Sequence, residues 1–315
     1  METLHITGNM PPQPPSVATI GFFDGVHRGH QYLIRQVCDE AGDAGMRSVV
    51  ITFDRHPRKV LQSDWQPRLL STLDEKLLLL SKTRADATAV LHFDRETASL
   101  TAREFMDRVL RQRLNVRKLI IGYDNRFGHD RREGFDDYVR YGRELGIEVV
   151  QAHAFVLNGV RVSSSVVRSF LQNGEVEMAR LCLGYPYTIV GRVVEGVQEG
   201  RQLGFPTANL DVTDTDKLVP AAGVYAVEAR LEQTMTMRHG MMNIGTRPTF
   251  GGVGQTLETN IFNFEDNIYG KLMLVSFAHR VRGERKFSSP QALADQLQKD
   301  KAMIIEQFHK DNENE

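Results

Sequence analysis

The sequence predicts an α/β plus β protein: a first domain built on a parallel sheet, then an antiparallel barrel or sandwich followed by a C-terminal helix. Three observations predict it. Strand-like and helix-like patterns alternate strictly through the first half of the chain. The helical period then vanishes between residues 187 and 283, where short β-type runs are separated by Gly, Pro or Asn. It returns once, after Ser289. With 315 residues, the chain is long enough for two domains that each bury a core of their own.

Apolar, β-branched runs at 17–23, 48–53, 87–93, 119–121 and 147–152 read as strands. Between them, residues 31–44, 74–83, 101–114 and 134–145 carry helical patterns; in the first, Leu33, Ile34, Val37, Cys38 and Ala41 share one face. Thr101-x-x-Glu104 has the form of a capping box ahead of Phe105, Val109 and Leu110. Such alternation favours a parallel sheet covered on both faces, with ligands at the carboxyl ends of its strands. Two short helical stretches, 165–172 and 175–182, precede a change of character at Leu183-Gly184-Tyr185-Pro186. The expected domains are therefore 1–183 and 184–315. Beyond the border, runs at 187–194, 224–231, 240–244, 256–264 and 272–277 have antiparallel spacing. Ser289-Pro290 opens a last helix carrying Leu293, Leu297, Met303, Ile304 and Phe308. The polar residues 310–315 are expected to fray.

Composition removes several functional classes. Lys and Arg number 39 against 40 Asp and Glu, which argues against a general nucleic-acid binder resting on excess positive charge. The longest aliphatic run, 77–80, is far too short for a membrane span, and the N-terminus lacks the pattern of a signal peptide. Cys38 and Cys182 lie in helix-like apolar contexts and read as buried free thiols in a reducing compartment. The expectation is a cytoplasmic enzyme with no nucleic-acid or membrane partner. Without sustained heptads it is expected to be a monomer or a weak homo-oligomer.

The chemistry concentrates in two segments. Residues 21–30 read Gly-Phe-Phe-Asp-Gly-Val-His-Arg-Gly-His, so His27-x-Gly29-His30 falls between a strand and a helix. Two imidazoles there would join the free backbone N–H groups and dipole of a helix start, a setting that attracts anions, phosphate above all. Such a pattern marks enzymes that attack the α-phosphorus of ATP. The plain alternative is a pair of surface histidines. The second segment is Gly196-x-x-x-Gly200-Arg201-Gln-Leu-Gly204-Phe-Pro206-Thr207-Ala-Asn209. Its glycines would let backbone amides approach phosphate, and Arg201 would add a charged fork. Thr207 and Asn209 offer hard oxygens suited to Mg²⁺. A Gly/Pro-rich turn between strands is the alternative here, and no Gly-Lys-Ser/Thr makes it a Walker A loop.

Further segments complete an ordered set: Thr52-Phe53 with His56-Pro57, Gly122-Tyr-Asp-Asn-Arg-Phe-Gly128, Ser163-Ser-Ser-Val-Val-Arg168, Gly223-Val-Tyr-Ala226, Asn243-Ile-Gly-Thr-Arg-Pro-Thr249 and Arg282-x-Glu284-x-Lys286-Phe287. Together with the two segments above, this set resembles the bacterial bifunctional riboflavin kinase/FAD synthetase family over residues 17–306. The resemblance implies a Rossmann-like nucleotidyltransferase domain followed by an antiparallel β-barrel kinase domain. It implies phosphorylation of riboflavin to FMN by ATP, then adenylylation of FMN to FAD, with Mg²⁺ assisting.

The same resemblance assigns roles. Glu258 matches the family's catalytic base, accepting the ribityl hydroxyl proton. Thr207 and Asn209 would hold Mg²⁺ and phosphates, with Gly200, Arg201 and Gly204 shaping the loop. Arg282, Glu284 and Phe287 match a flavin-site segment. In the first domain, His27 and His30 would contact the ATP phosphates, with Gly29 between them and Phe22, Phe23 and Asp24 bordering the strand end. Asp124, Asn125 and Arg126 match a nucleotide-side loop; Ser164, Ser165 and Arg168 match a second phosphate motif.

Two positions depart from the family pattern. Val166 stands where the family has an arginine, and Asn260 stands where it has a histidine two residues after the base. Val166 keeps a kinase-only enzyme with an impaired first domain among the alternatives. A class I aminoacyl-tRNA synthetase would share the HxGH pattern, but the chain lacks its lysine-rich second signature and any basic RNA-binding extension. A non-catalytic flavin-binding regulator could dispense with Glu258 and Thr207, and both are present.

Overall fold

The computed structural model describes residues 1–8, 10–61, 68–122, 125–129, 132–196, 204–213, 215–232, 234–249 and 252–314. The chain forms two compact units, Met1–Ser164 and Ser165–Glu315. The sequence changes character at 183, but the helices between 165 and 183 belong to the second unit.

In the first unit, β1 (Glu2–Ile6), β2 (Ser16–Ile20), β3 (Arg47–Phe53), β4 (Ala87–Leu91), β5 (Val116–Ile121) and β6 (Glu148–Gln151) form one parallel sheet in the order β1-β4-β3-β2-β5-β6. Both faces of the central strands are covered, which is why they read as nearly unbroken apolar and β-branched runs. Successive residues of β3 serve opposite cores. Val49, Ile51 and Phe53 pack with Ile20, Phe105 and Met106, whereas Val50 packs with Val17, Ile34, Val37 and Leu80. The chain runs outward from β2 through β3 to β4, then crosses to β5 and β6 on the other side of β2. This reversal, between β2 and β5, is the switch point where open α/β sheets take ligands beyond their carboxyl ends.

The helix expected over 101–114 is α-helical only at Ala102–Phe105 and continues as a π-helix, Met106–Arg113. There the N–H of Leu114 reaches back five residues to the carbonyl of Val109. A small hairpin, β7 (Val156–Leu157) and β8 (Val160–Arg161), completes the unit.

The second unit contains the helix Val176–Leu183, then β9 (Thr188–Val194), β10 (Ala208–Asp211), β11 (Gly223–Leu231), β12 (Arg238–Thr249), β13 (Gly252–Ile261) and β14 (Leu272–Arg282). All pair antiparallel and close into a barrel, β10-β13-β12-β11-β14-β9. Tyr187, Tyr225, Val227, Met242, Val275 and Phe277 are fully buried and fill it. These side chains make its interior a packed core. The C-terminal helix, Pro290–Asn314, lays Ile304, Phe308 and Leu297 against Phe205, Val224, Ala226, Met241, Phe262 and Ala278.

That helix runs to Asn314, through the polar residues expected to fray, and Asp311 in its last turns is anchored. Nε2 of His279 on β14 contacts the Asp311 carboxylate at 2.7 Å, and Nδ1 faces Glu177 of the helix Val176–Leu183 at 3.6 Å. One imidazole thus joins three elements of the unit. Hydrogen bonding to Glu177, joined by that to Asp311, raises its pKa to about 8 despite the opposing cost of burial. A pKa raised above its ordinary 6.5 gives stability that is complete below about pH 6.5 and lost as pH rises through about 8. The second unit should therefore lose about 1–2 kcal/mol between pH 6 and 9. His279→Gln should flatten that slope in denaturant titrations run across the range. An unchanged slope would rule the latch out.

Candidate functional site

At the switch point the chain leaves β2 through an unusual turn. Phe23 (φ 55°) and Val26 (φ 36°) both adopt left-handed backbone, which is costly for side chains of their shape. The surroundings over-determine the turn. The Asp24 carboxylate is 2% exposed and accepts from the backbone N–H of Leu70 (2.9 Å) and Ser71 (3.1 Å) and from the Ser71 hydroxyl (3.3 Å). Ser71 Oγ accepts from Gly25 N–H at 2.9 Å, and Ser164 Oγ donates to the Asp24 carbonyl at 3.2 Å. Asp24 therefore ties the turn to Leu70 and Ser71, and its side chain is turned to them.

The turn delivers His27 to the N-cap of the helix Arg28–Asp43. Its Nδ1 accepts from the His30 N–H at 3.3 Å, and a neutral ring accepting there carries its proton on Nε2. The His27 and His30 rings stack with centroids 3.6 Å apart, and Phe23 meets His30 edge-on at 5.0 Å. Gly29 has no room for a side chain, because a Cβ would come 2.9 Å from the Val162 carbonyl and 3.1 Å from the His27 ring. On the β5 side of the crevice, the Asn125 amide donates to the Ile20 carbonyl at the end of β2. Arg126 beside it is exposed, and Asp124 lies outside the described residues. Ser164 closes the first unit, whereas Ser165, exposed, and Arg168, half-buried, belong to the second.

In the barrel, Glu258 on β13 stands opposite Asn209 on β10 and Asn243 on β12. Cross-strand partners share a face, so a carboxylate is flanked by two amides. Asn209 packs against Gly196, where a Cβ would collide with its amide. Asn260 donates to the Pro206 carbonyl at 2.7 Å, which braces the segment leading into Thr207. Around Gly245 converge Thr256 Oγ1, Glu284 Oε1 and Asn243 Nδ2, at 3.1, 3.3 and 3.4 Å from the position of a Cβ. Arg282 sits 5.6 Å from the Phe287 ring and ion-pairs at 2.9 Å with Asp300, which is 1% exposed. Gly204 is exposed with φ 79°; Gly200 and Arg201 lie outside the described residues.

A divalent cation has suitable donors here. Asn209 offers a neutral oxygen across the ladder from the Glu258 carboxylate, and Thr207 offers another two residues earlier, a hard but incomplete set of the kind Mg²⁺ completes with water and substrate phosphates. Among the described residues, no cluster of three or more His, Cys, Asp or Glu forms an all-protein metal cage.

Two contributors, Ser71 and Lys76, escaped the sequence reading, while Thr52 and Asn243 stood in the matched segments without an assigned role. Thr52 Oγ1 donates to the Phe22 carbonyl at 3.1 Å, and Lys76 is taken up below. Only Lys76 left a signal, a lysine four residues before Leu80 on the buried stripe of its helix.

A parallel sheet with an HxGH turn at its switch point, joined to a closed barrel carrying a flanked glutamate, defines a two-unit nucleotide-dependent transferase. A family model described as FAD synthetase matches residues 10–166, and one described as riboflavin kinase matches residues 183–308. The bifunctional riboflavin kinase/FMN adenylyltransferase of Haemophilus influenzae is 38% identical over 282 residues, covering 90% of this chain and 91% of that one. Its namesakes in Escherichia coli K12 (37%, 94% of each chain) and Bacillus subtilis (34%, 98% of each chain) are similar. The chain belongs to the bifunctional riboflavin kinase/FMN adenylyltransferase family. A solved structure described as a macrolide-efflux protein from Streptococcus pneumoniae matches with a TM-score of 0.86 at 30% identity, over 96% of this chain and 99% of that one. Among the described residues, no helix is long and apolar enough to cross a membrane.

Replacing Asp24 by Ala would leave the buried Leu70 and Ser71 amides without their acceptor. A loss of about 2–4 kcal/mol is expected for the first unit, read as a lowered urea midpoint. Stability equal to wild type would show that other groups hold the turn.

Proposed function

We propose that the first unit adenylylates FMN with ATP, giving FAD and pyrophosphate, and that the second phosphorylates riboflavin with ATP, giving FMN and ADP. The observation that carries this reading is the stacked His27–His30 pair at the carboxyl end of β2, in a chain whose barrel sets Glu258 between two asparagines. We place the functional division at 183/184; the riboflavin kinase match begins at 183, and the FAD synthetase match ends at 166.

In adenylylation, a phosphate oxygen of FMN attacks the α-phosphorus of ATP, and the bond to the bridging oxygen breaks in line. No side chain is acylated or phosphorylated. The His27 Nε2–H, the His30 ring and the helix-start N–H groups of Arg28 and Gly29 meet the charge that builds on the departing pyrophosphate. Asn125 holds the β5 side of the crevice, with Asp124 and Arg126 on its loop serving the nucleotide. Ser164, Ser165 and Arg168 supply the second phosphate contact. Phe22 and Phe23 form the apolar border.

In the kinase reaction, Glu258 accepts the proton of the riboflavin 5′-hydroxyl as its oxygen attacks the γ-phosphorus. Positioning dominates, because phosphoryl transfer passes through a loose transition state. Thr207 and Asn209 would hold Mg²⁺, which when bound neutralises phosphate charge; Gly200, Arg201 and Gly204 shape the loop over the phosphates. Phe287 and Glu284 face the flavin, with Arg282 held beneath Phe287 by Asp300. The free thiols of Cys38 and Cys182 support a cytoplasmic setting, and we take the enzyme to be a monomer.

Purified protein with ATP, Mg²⁺ and either riboflavin or FMN, with flavins separated and ADP and pyrophosphate followed, tests the assignment. Glu258→Gln should lower FMN formation about 100-fold or more and leave added FMN converted to FAD at the wild-type rate. His27→Ala should do the reverse. Equal damage to both steps by both substitutions would overturn the two-site model.

A further inference from the structure

The helix Leu73–Ser81 buries a lysine. Lys76 is 2% exposed, although lysine is almost never fully buried without partners. Its Nζ donates to the Phe53 carbonyl at 2.8 Å and to the Phe22 carbonyl at 3.1 Å, and it lies 4.1 Å from the centroid of the Phe22 ring. Two carbonyls and one π face account for the three N–H directions of an ammonium. No donor is left over for a substrate.

What those carbonyls belong to gives the lysine its meaning. Phe53 is the last residue of β3, and Phe22 lies two residues past the end of β2. The strands are neighbours, paired as far as Ile20 and Ile51. Beyond that point the ladder stops, and Lys76 with Thr52 holds the diverging ends together. One end leads through left-handed Phe23 to His27 and His30. The other leads to Asp54 and His56, whose ring meets Phe22 edge-on at 4.6 Å. Burial lowers the lysine pKa to about 8, with Asp24 and Asp54 acting the other way. A methionine would fill the same space without that desolvation cost, so stability alone does not account for a lysine here.

We propose that Lys76 is a positioning residue for the adenylylation reaction: its ammonium clamps the carboxyl ends of β2 and β3 and so sets the His27/His30 turn against the His56 loop. The inference rests on the reading that His27 and His30 serve that reaction. Lys76 touches neither substrate nor reacting atoms. Its effect falls on alignment in the transition state more than on ground-state affinity.

The full-length enzyme carrying Lys76→Met is compared with wild type, Lys76→Arg and His27→Ala, well below the unfolding temperature of each. Lys76→Met should lower kcat for FAD formation about 30–100-fold, since small misplacements of catalytic groups cost that much. KM for ATP and for FMN should move less than about three-fold, the mark of an interaction expressed in the transition state. Riboflavin phosphorylation should stay at the wild-type rate. Lys76→Arg, which keeps donors for both carbonyls, should recover most of the loss. A lowered Tm with unchanged kcat, or a raised KM with unchanged kcat, would overturn the inference. If Lys76→Met does not fold, Lys76→Gln, with two N–H donors and no charge, is judged on the same kcat and KM split. Wild-type FAD formation by His27→Ala would instead overturn the underlying site assignment.

Discussion

The buried carboxylate of Asp24 gathers two backbone amides and a hydroxyl from Leu70 and Ser71, and the geometry of the first site follows from that contact. A turn with Phe23 and Val26 in left-handed backbone would relax if left to itself, at a gain of about 1–3 kcal/mol per residue. Asp24 and Ser71 hold it from one side and Ser164 from the other. Because the turn is fixed, His27 arrives as the cap of its own helix, with Nδ1 committed to the His30 N–H. The strain is thus converted into orientation.

The barrel solves its problem differently. Its candidate groups sit on strands, and hydrogen-bond register sets their relative places. Glu258 is half-buried, while Leu257 and Thr259 on either side are fully buried. A slip of one residue in β13 would bury the carboxylate and expose the apolar neighbour. Closure of the sheet makes such a slip costly at both edges at once. The first site depends on a strained loop held by side chains, and the second on a ladder that tolerates no strain.

Much of this was legible in the sequence because buried strands and amphipathic helices leave periodic traces. The alternation through 152, the change of character at 183 and the final helix all follow from such traces. What escaped had weak traces. In β1 only Ile6 is buried, so an edge strand left no apolar run. β10 is four residues long and polar at Asn209, and its segment read as a loop. The hairpin at 156–161 turns on Asn158-Gly159, a strong turn signal flanked by strands too short to register. Among candidate site residues, the histidine motif, Thr207 and Asn209 were visible as chemistry, and Glu258 only through the family resemblance. Asp24 was placed in the site but not as its brace. Asn260, standing where the family has a histidine, donates to the Pro206 carbonyl. The supporting groups were hidden because their partners are backbone atoms far along the chain, and no local pattern encodes those.

The border between the compact units has a consequence for the handling of the chain. The helix Ser164–Asn173 starts on the last residue of one unit and runs into the other. Ser164 bonds to the Asp24 turn, while three residues after Arg168 the carbonyl of Leu171 accepts from Ala221 of the second unit. A fragment beginning at 184 would strip the barrel of Glu177 and Leu171, and one beginning at 165 would carry off Ser165 and Arg168 from the motif assigned to the other reaction. Where the chain is cut therefore decides which of these groups each fragment keeps.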